Sequence, residues 1–372
     1  MKTLNVMIKP ASSLCNMRCL YCFYADEAAV RSVPSYGMMT EAVADSIIDR
    51  VSETLSDGDA VQYIFQGGEP TLRGLAFFER FAERATARAG LRVSFSLQTN
   101  GLLLDEAWCD FLLKYRVLVG VSLDLLPECH DEARRDAGGV GTYERVVNTL
   151  SLLKRRCVPF NVLCTLTDRV AARPKQVWER LVRHGVEYVQ FTPCLGACDG
   201  DASYGKLTPL LFADFYTRLF DFWYADYKKG RARSVKLFDD VVNLLVLGTP
   251  TACGMDGVCR PQLVFEADGS AYPCDFYCTD AHRLGSASDG IDALVSSDAY
   301  RAFATREREH PTLCNGCRYH RFCGGGCPRM QKEVYICADG SACGYQKFLD
   351  ACGGTLSRLA EDVKRKYFGA KH

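Results

Sequence analysis

The sequence predicts an α/β fold: a partial, TIM-like (β/α)6 barrel of parallel strands, followed by a smaller cysteine-rich domain. Two observations carry this. In the first half of the 372 residues, short β-type runs alternate with helical patterns, as in a parallel sheet covered by helices. Past about residue 200 that periodicity gives way to a stretch dense in Cys and Gly, which has few apolar residues with which to build a core.

In chain order, residues 3–9 read as the first strand and lead into Cys15-x3-Cys19-x2-Cys22. A helix over 40–55 follows, with Val43, Ile47, Ile48 and Val51 on one face. Strand 61–66 ends at Gly67-Gly68-Glu69-Pro70. Helix 75–89, strand 93–98, helix 105–115, strand 117–123, helix 143–156, strand 160–166, helix 174–184 and strand 188–192 continue the alternation. In such folds chemistry sits at the C-terminal strand ends, where the cysteine loop, the Gly-Gly-Glu-Pro turn, Gln98-Thr99-Asn100 and Ser122-Leu123-Asp124 all fall. Helices over 207–229 and 236–247 complete the reading, which divides the chain into a barrel over 1–235 and a cluster-bearing domain over 236–372 that closes on a C-terminal helix.

Composition narrows the class. The chain is 48% hydrophobic, enough for a large core, and its 45 basic and 45 acidic residues leave no basic field to collect nucleic acid. The apolar runs are too short to span a bilayer, and the opening Met-Lys-Thr-Leu-Asn-Val lacks the pattern of a secretory signal, so a cytoplasmic, reduced protein without membrane attachment is expected. With 20 cysteines among 372 residues, the content falls below that of a disulfide scaffold.

Eleven of those cysteines form three spaced groups. The first offers three thiolates within eight residues and no fourth until Cys109, so one iron of a 4Fe-4S cluster would lack a protein ligand and stay open to a small chelating molecule. A structural zinc site would need a fourth ligand, which this spacing does not supply. Cys253-x5-Cys259-x14-Cys274, then Cys314-x2-Cys317-x5-Cys323-x3-Cys327, then Cys343 supply eight more thiolates, enough for two fully ligated clusters. Cys109, Cys129, Cys157, Cys164, Cys194 and Cys198 read as small apolar core residues. On local sequence alone Arg134 is an exposed helix-face residue beside Arg135 and Asp136, and Asp275 is a turn residue.

The Cys15/Cys19/Cys22 triplet resembles the signature of radical S-adenosylmethionine (SAM) enzymes, and the later cysteine run resembles the SPASM domain. Together with Ile8-Lys9-Pro10-Ala11-Ser12-Ser13, Phe65-Gln66-Gly67-Gly68-Glu69-Pro70 and Tyr272-Pro273-Cys274-Asp275-Phe276-Tyr277, the chain resembles the anaerobic sulfatase-maturating enzymes from end to end. The resemblance implies three 4Fe-4S clusters: one on Cys15, Cys19 and Cys22; one on Cys253, Cys259, Cys274 and Cys327; one on Cys314, Cys317, Cys323 and Cys343, with Cys337 an open alternative to Cys343. It implies SAM contacts from Tyr21, Gly67, Gly68, Glu69, Asn100, Ser122, Arg134 and Leu195, a substrate contact from Gln66, and Asp275 as the general base. The implied reaction oxidises a Cys or Ser in an unfolded sulfatase, within a Cys/Ser-x-Pro-x-Arg segment, to Cα-formylglycine, with flavodoxin or ferredoxin as electron donor. One departure stands out: after Ser122-Leu123-Asp124, where Gly-Pro is expected, the chain has Leu125-Leu126, so a different loop path and an altered substrate preference are expected there. The competing reading is a maturase that builds thioether or carbon-carbon crosslinks in a ribosomal peptide; a non-catalytic electron carrier would not need the barrel.

Overall fold

A computed structural model describes residues 1–197, 204–306 and 311–369. One sheet of ten strands runs through it: β1 (Thr3–Ile8), β2 (Ala60–Phe65), β3 (Arg92–Thr99), β4 (Leu118–Ser122), β5 (Phe160–Leu166), β6 (Tyr188–Pro193), β7 (Ser234–Val235), β8 (Leu263–Phe265), β9 (Ser270–Tyr272) and β10 (Gly285–Ser286). From β1 to β7 neighbours pair in parallel and in sequence order, each crossover being long enough to carry a helix. The expected six-stranded alternation is present, and the sheet is longer than expected at both edges. β8 pairs parallel to β1, and the antiparallel β8–β9–β10 ribbon continues from there. The cysteine-rich region is therefore stitched to the barrel by backbone hydrogen bonds as well as by side chains.

Strands β2, β5 and β6 bury alternate residues and leave the others half-open, whereas β8 and β9 are buried throughout. Val61, Tyr63 and Phe65 of β2 and Phe95 and Leu97 of β3 lie under the helices Glu41–Thr54 and Leu75–Thr86, whose Ile47, Ile48, Val51, Phe77, Phe78 and Phe81 recur at helical spacing. The opposite face carries Ser96, Gln98, Gly120, Asn161, Leu163 and Gln190, and these line a cavity of about 980 Å³. The same cavity extends to the N-terminal ends of β4 to β7, where Leu118, Phe160, Tyr188 and Ser234 line it, away from the C-terminal rim.

Helix boundaries follow their caps. Thr40 accepts the Val43 N–H and Asp105 the Trp108 N–H, so the helices expected from 40 and 105 begin one residue later. The short helix Phe23–Ala29 directly after Cys22 was not expected. The C-terminal region also has more apolar anchorage than its Cys and Gly content suggests. The 25-residue helix Gly344–Phe368 buries Tyr345, Phe348, Leu349, Cys352, Leu356 and Leu359 against the helices Pro209–Tyr227 and Lys236–Leu247, with Phe348 stacked 5.9 Å from Phe238.

Candidate functional site

The cysteine loop leaves β1 and is clamped on two sides. On one side the Gly68 N–H donates to Ser12 O (2.8 Å) and the Glu69 N–H to Leu14 O (2.8 Å). A Cβ on Gly68 would stand 2.1 Å from Leu14 O, so only glycine permits this approach. On the other side Arg18 N–H donates to Arg135 O (2.7 Å) and Leu20 N–H to Ala133 O (3.0 Å). The Gly67-Gly68-Glu69 turn thus spends its Gly68 and Glu69 N–H groups on the loop, leaving carbonyl oxygens as the groups an ammonium could meet. Glu69 is buried and its carboxylate takes four bonds, from the Thr71 N–H and hydroxyl, the Thr99 hydroxyl and the Asn100 N–H. It therefore ties the turn to the end of β3. Asn100 in turn donates to Asn16 Oδ1 (2.7 Å) beside Cys15.

Cys15, Cys19 and Cys22 lie within electrostatic reach of one another. Burial pushes the Cys15 thiol up to about 11 and the Cys19 thiol up to about 12, with Arg134 the main opposing influence on Cys19. Desolvation raises the Cys22 thiol as well, and three partly buried thiols held up in this way become thiolates against a concentrated positive charge, so the donor set fits an iron-sulfur cluster. Arg134 is buried, contrary to its local reading: its Nε lies 3.2 Å from Asp124 Oδ2, an Nη donates to Thr165 Oγ1 (3.1 Å), and its plane sits 5.3 Å over the Tyr21 ring. Tyr21 also donates to Asp124, which accepts the Thr165 N–H as well (2.8 Å). His130 accepts the Asp124 N–H at Nδ1, and burial lowers it to about 4, keeping it neutral. Asp124 is a hub that sequence reading quoted but gave no role. Arg134 keeps an unengaged edge of its guanidinium for a carboxylate. Ser122 at the end of β4 and Leu195 beyond β6 sit on the same C-terminal rim.

The eight later cysteines fall into two neighbourhoods. Cys253 is in electrostatic reach of Cys327 and Cys259, and Cys274 of Cys253 and Cys327. Cys314 is in reach of Cys323 and Cys317, and Cys343 of Cys323 and Cys314. Cys314, Cys317, Cys323 and Cys343 share the lining of one small cavity with Tyr335 and Tyr345, whereas Cys337 does not line it, which favours Cys343 as the ligand. Glycine makes the turns fit here too: a Cβ on Gly257 would meet Gly324 O at 2.3 Å. The described cysteines are free thiols. Cys109, Cys129, Cys164 and Cys194 are buried as expected; Cys157 is exposed, in a left-handed turn at φ +55°, and Cys198 lies outside the described residues.

Asp275 follows Cys274 and comes to the end of β2. Its Oδ2 accepts from the Tyr24 hydroxyl (2.8 Å) and from Gln66 Nε2 (2.8 Å), while Oδ1 is turned inward, 3.3 Å from Lys9 Nζ. Tyr24 and Lys9 were missed in the sequence reading; their only signals were a Tyr after the triplet and a Lys closing an apolar strand. Leu125 and Leu126 take no left-handed backbone and are both buried in the core ahead of the helix Pro127–Ala133. The Gly-Pro departure is therefore absorbed by core packing.

Residues 10–170 match the Radical SAM superfamily and residues 253–318 match SPASM, an iron-sulfur cluster-binding domain. Fold and site define a radical SAM enzyme with a C-terminal iron-sulfur domain, a class that works with SAM and iron-sulfur clusters. The cysteine-type anaerobic sulfatase-maturating enzyme of Clostridium perfringens is 37% identical over 379 residues, spanning 98% of this chain and 100% of its own. The serine-type enzyme of Bacteroides thetaiotaomicron is 28% identical, over 88% of this chain and 83% of its own. A solved structure of native anSMEcpe with bound AdoMet and a peptide superposes with a TM-score of 0.88 at 35% identity, covering 97% of this chain and 100% of that one. Streptococcus suis SuiB, at 16% identity and a TM-score of 0.61, shares the fold over 88% of this chain and 72% of its own. The chain belongs to the anaerobic sulfatase-maturating enzymes. Among the described residues no helix is long and apolar enough to cross a membrane.

The Gly68 contact gives a direct test of how the cysteine loop is held. Gly68→Ala must push the loop off the turn, a cost of about 1–3 kcal/mol or more by overpacking. A lower Tm and loss of iron from the first site are expected. Gly354→Ala, in the long C-terminal helix with no neighbour within 4 Å of its Cβ position, should leave iron unchanged and raise Tm slightly, since Ala is favoured over Gly inside a helix by about 0.5–1 kcal/mol. Unchanged iron and Tm in the Gly68 variant would contradict the clamp.

Proposed function

We propose that this chain oxidises a Cys in an extended, unfolded sulfatase segment to Cα-formylglycine. The observation that carries the reading is the placement of Asp275 with Tyr24 and Gln66 at the end of β2, between the Cys15/Cys19/Cys22 loop and the Cys274 cluster position. Cys is favoured over Ser because the 33–37% identical relatives are cysteine-type, whereas the serine-type relatives stand at 27–28%.

Three 4Fe-4S clusters fit the eleven thiolates, the first on Cys15, Cys19 and Cys22 and the others on the two four-Cys sets. Cys15, Cys19 and Cys22 would hold the cluster that, with SAM, would supply a 5′-deoxyadenosyl radical for Cβ hydrogen removal, and the two four-Cys sets would hold clusters able to accept the remaining electron. The chain's own residues hold and deprotonate. Arg134 and Tyr21, fixed by Asp124, present a cation and an aromatic face to SAM, together with Ser122, Asn100, Leu195 and the Gly67 and Gly68 carbonyls. Gln66 and Tyr24 reach the substrate's sulfur region, and Asp275 Oδ2, the outward oxygen, receives the thiol proton. The Cys side chain thereby loses one hydrogen atom, one proton and one electron and becomes a thioaldehyde, which water converts to the aldehyde and hydrogen sulfide. Flavodoxin or ferredoxin is the proposed electron donor, and residues 1–235 and 236–372 the division between radical generation and electron removal.

Iron content checks the cofactor reading. Anaerobically reconstituted protein is expected to hold about twelve irons per chain, and Cys15/Cys19/Cys22→Ala about four fewer with no SAM cleavage. A single cluster's worth in the unmodified protein would refute the auxiliary assignment.

Replacing the base separates radical formation from oxidation. Asp275→Asn keeps size but removes the proton acceptor, and general-base loss costs about 10²–10⁴-fold. With a synthetic Cys-x-Pro-x-Arg peptide, the variant should retain iron and cleave SAM while formylglycine, followed by mass, falls by that factor. A formylglycine yield equal to that of the unmodified enzyme would exclude Asp275 as the base.

A further inference from the structure

We propose that Lys9 is the residue that positions Asp275 for proton removal, itself held by a buried cage of Glu27, Glu266 and Cys278. Lys9 is 1% exposed, and its ammonium lies 3.0 Å from Glu27 Oε2, 3.2 Å from Cys278 Sγ, 3.3 Å from Asp275 Oδ1 and 3.7 Å from Glu266 Oε1. Arg31 bridges the two cage carboxylates, at 2.9 Å from Glu27 and 2.7 Å from Glu266, and the Cys278 N–H closes on Glu27 Oε1 at 2.6 Å.

The asymmetry of this cage is what points to function. Three carboxylates share two cations; Glu27 and Glu266 each have both, whereas the cation beside Asp275 is Lys9. Asp275 is also the one carboxylate of the three that reaches the surface of the site, with a side chain 14% exposed against 1% for each of the others. Its Oδ1 is buried and takes no hydrogen bond, so charge attraction to Lys9 is what turns that oxygen inward and leaves Oδ2 outward, toward Gln66 and Tyr24. The same ammonium sits 4.8 Å over the Tyr24 ring, so it braces the hydroxyl that donates to Oδ2 as well. A buried ionic cage is poor value for stability alone, since apolar replacement is often neutral or better; what it provides is a fixed arrangement.

This rests on the reading of Asp275 as the base, and its test is chosen to separate the two. In the full-length reconstituted enzyme with the Cys-x-Pro-x-Arg peptide, formylglycine and 5′-deoxyadenosine are measured together with iron content. No formylglycine from the unmodified enzyme would overturn the proposed function itself, and with it the role given to Lys9. Given product, Lys9→Met is expected to lower formylglycine formed per 5′-deoxyadenosine by about 10–100-fold, the effect of a catalytic group displaced by about 1 Å. Iron should stay within error, and Lys9→Arg should recover part of the ratio, a rescue that a packing role would not give to a larger side chain. Glu27→Gln removes one brace while keeping its shape and serves if the Met variant does not fold; an intermediate loss of the ratio is expected. A ratio in Lys9→Met within about twofold of the unmodified enzyme overturns the proposal, including when both activities fall in parallel, because correct positioning of a base must show in the product formed per radical event. If the Met variant loses its iron, unmodified ratios in both Lys9→Arg and Glu27→Gln overturn it equally.

Discussion

Strand register is the constraint on which the site depends. Ile8 pairs with Phe65 on one side and with Phe265 on the other, so the next residues of three parallel strands, Lys9, Gln66 and Glu266, emerge side by side at the same rim. The helix after the cysteine triplet supplies Glu27 to that point and the bend beyond it Arg31, and the turn after Cys274 supplies Asp275 and Cys278. Two segments about 250 residues apart are thereby locked together, one carrying the first thiolate set and the other a ligand of the second. Removing one partner from a buried ionic group of this kind typically costs about 3–5 kcal/mol.

Around that knot the fold separates two tasks. The helix-covered face of the sheet is aromatic and aliphatic and carries the stability; Phe65, Phe78 and Phe81 meet edge-to-face at 4.9 and 5.1 Å. The C-terminal rim of the sheet carries the site, where Lys9, Gln66, Asn100 and Asp124 follow the strand ends. The antiparallel ribbon β8–β10 then brings the cysteine-rich region to the edge of β1 with its orientation fixed by backbone pairing, and the long C-terminal helix anchors the far side.

Much of this was legible in the sequence. The alternation of strands and helices was readable because each helix shows one apolar face and each strand a short β-branched or aromatic run, and the caps account for the one-residue differences at Thr40 and Asp105. The cysteine sets were readable because ligand spacing is a local pattern. What stayed hidden was long-range. Phe23–Ala29 is too short for periodicity to register, and the ionic cage assembles residues 9, 27, 31, 266, 275 and 278, none of which marks the others locally. Arg134 misled for the same reason: its neighbours are charged, but its partner Asp124 lies ten residues away in a buried turn. Leu125 and Leu126 looked like a change in the substrate loop because sequence gives identity without direction, and both point into the core.

The central claim is that radical chemistry occurs at the Cβ of a peptide cysteine presented to Asp275. It is tested most directly with a Cys-x-Pro-x-Arg peptide deuterated at that Cβ, reading the nucleoside product by mass spectrometry. Formylglycine accompanied by 5′-deoxyadenosine that has gained one deuterium is the expected result. Unlabelled 5′-deoxyadenosine, with the peptide's deuterium retained, would contradict it.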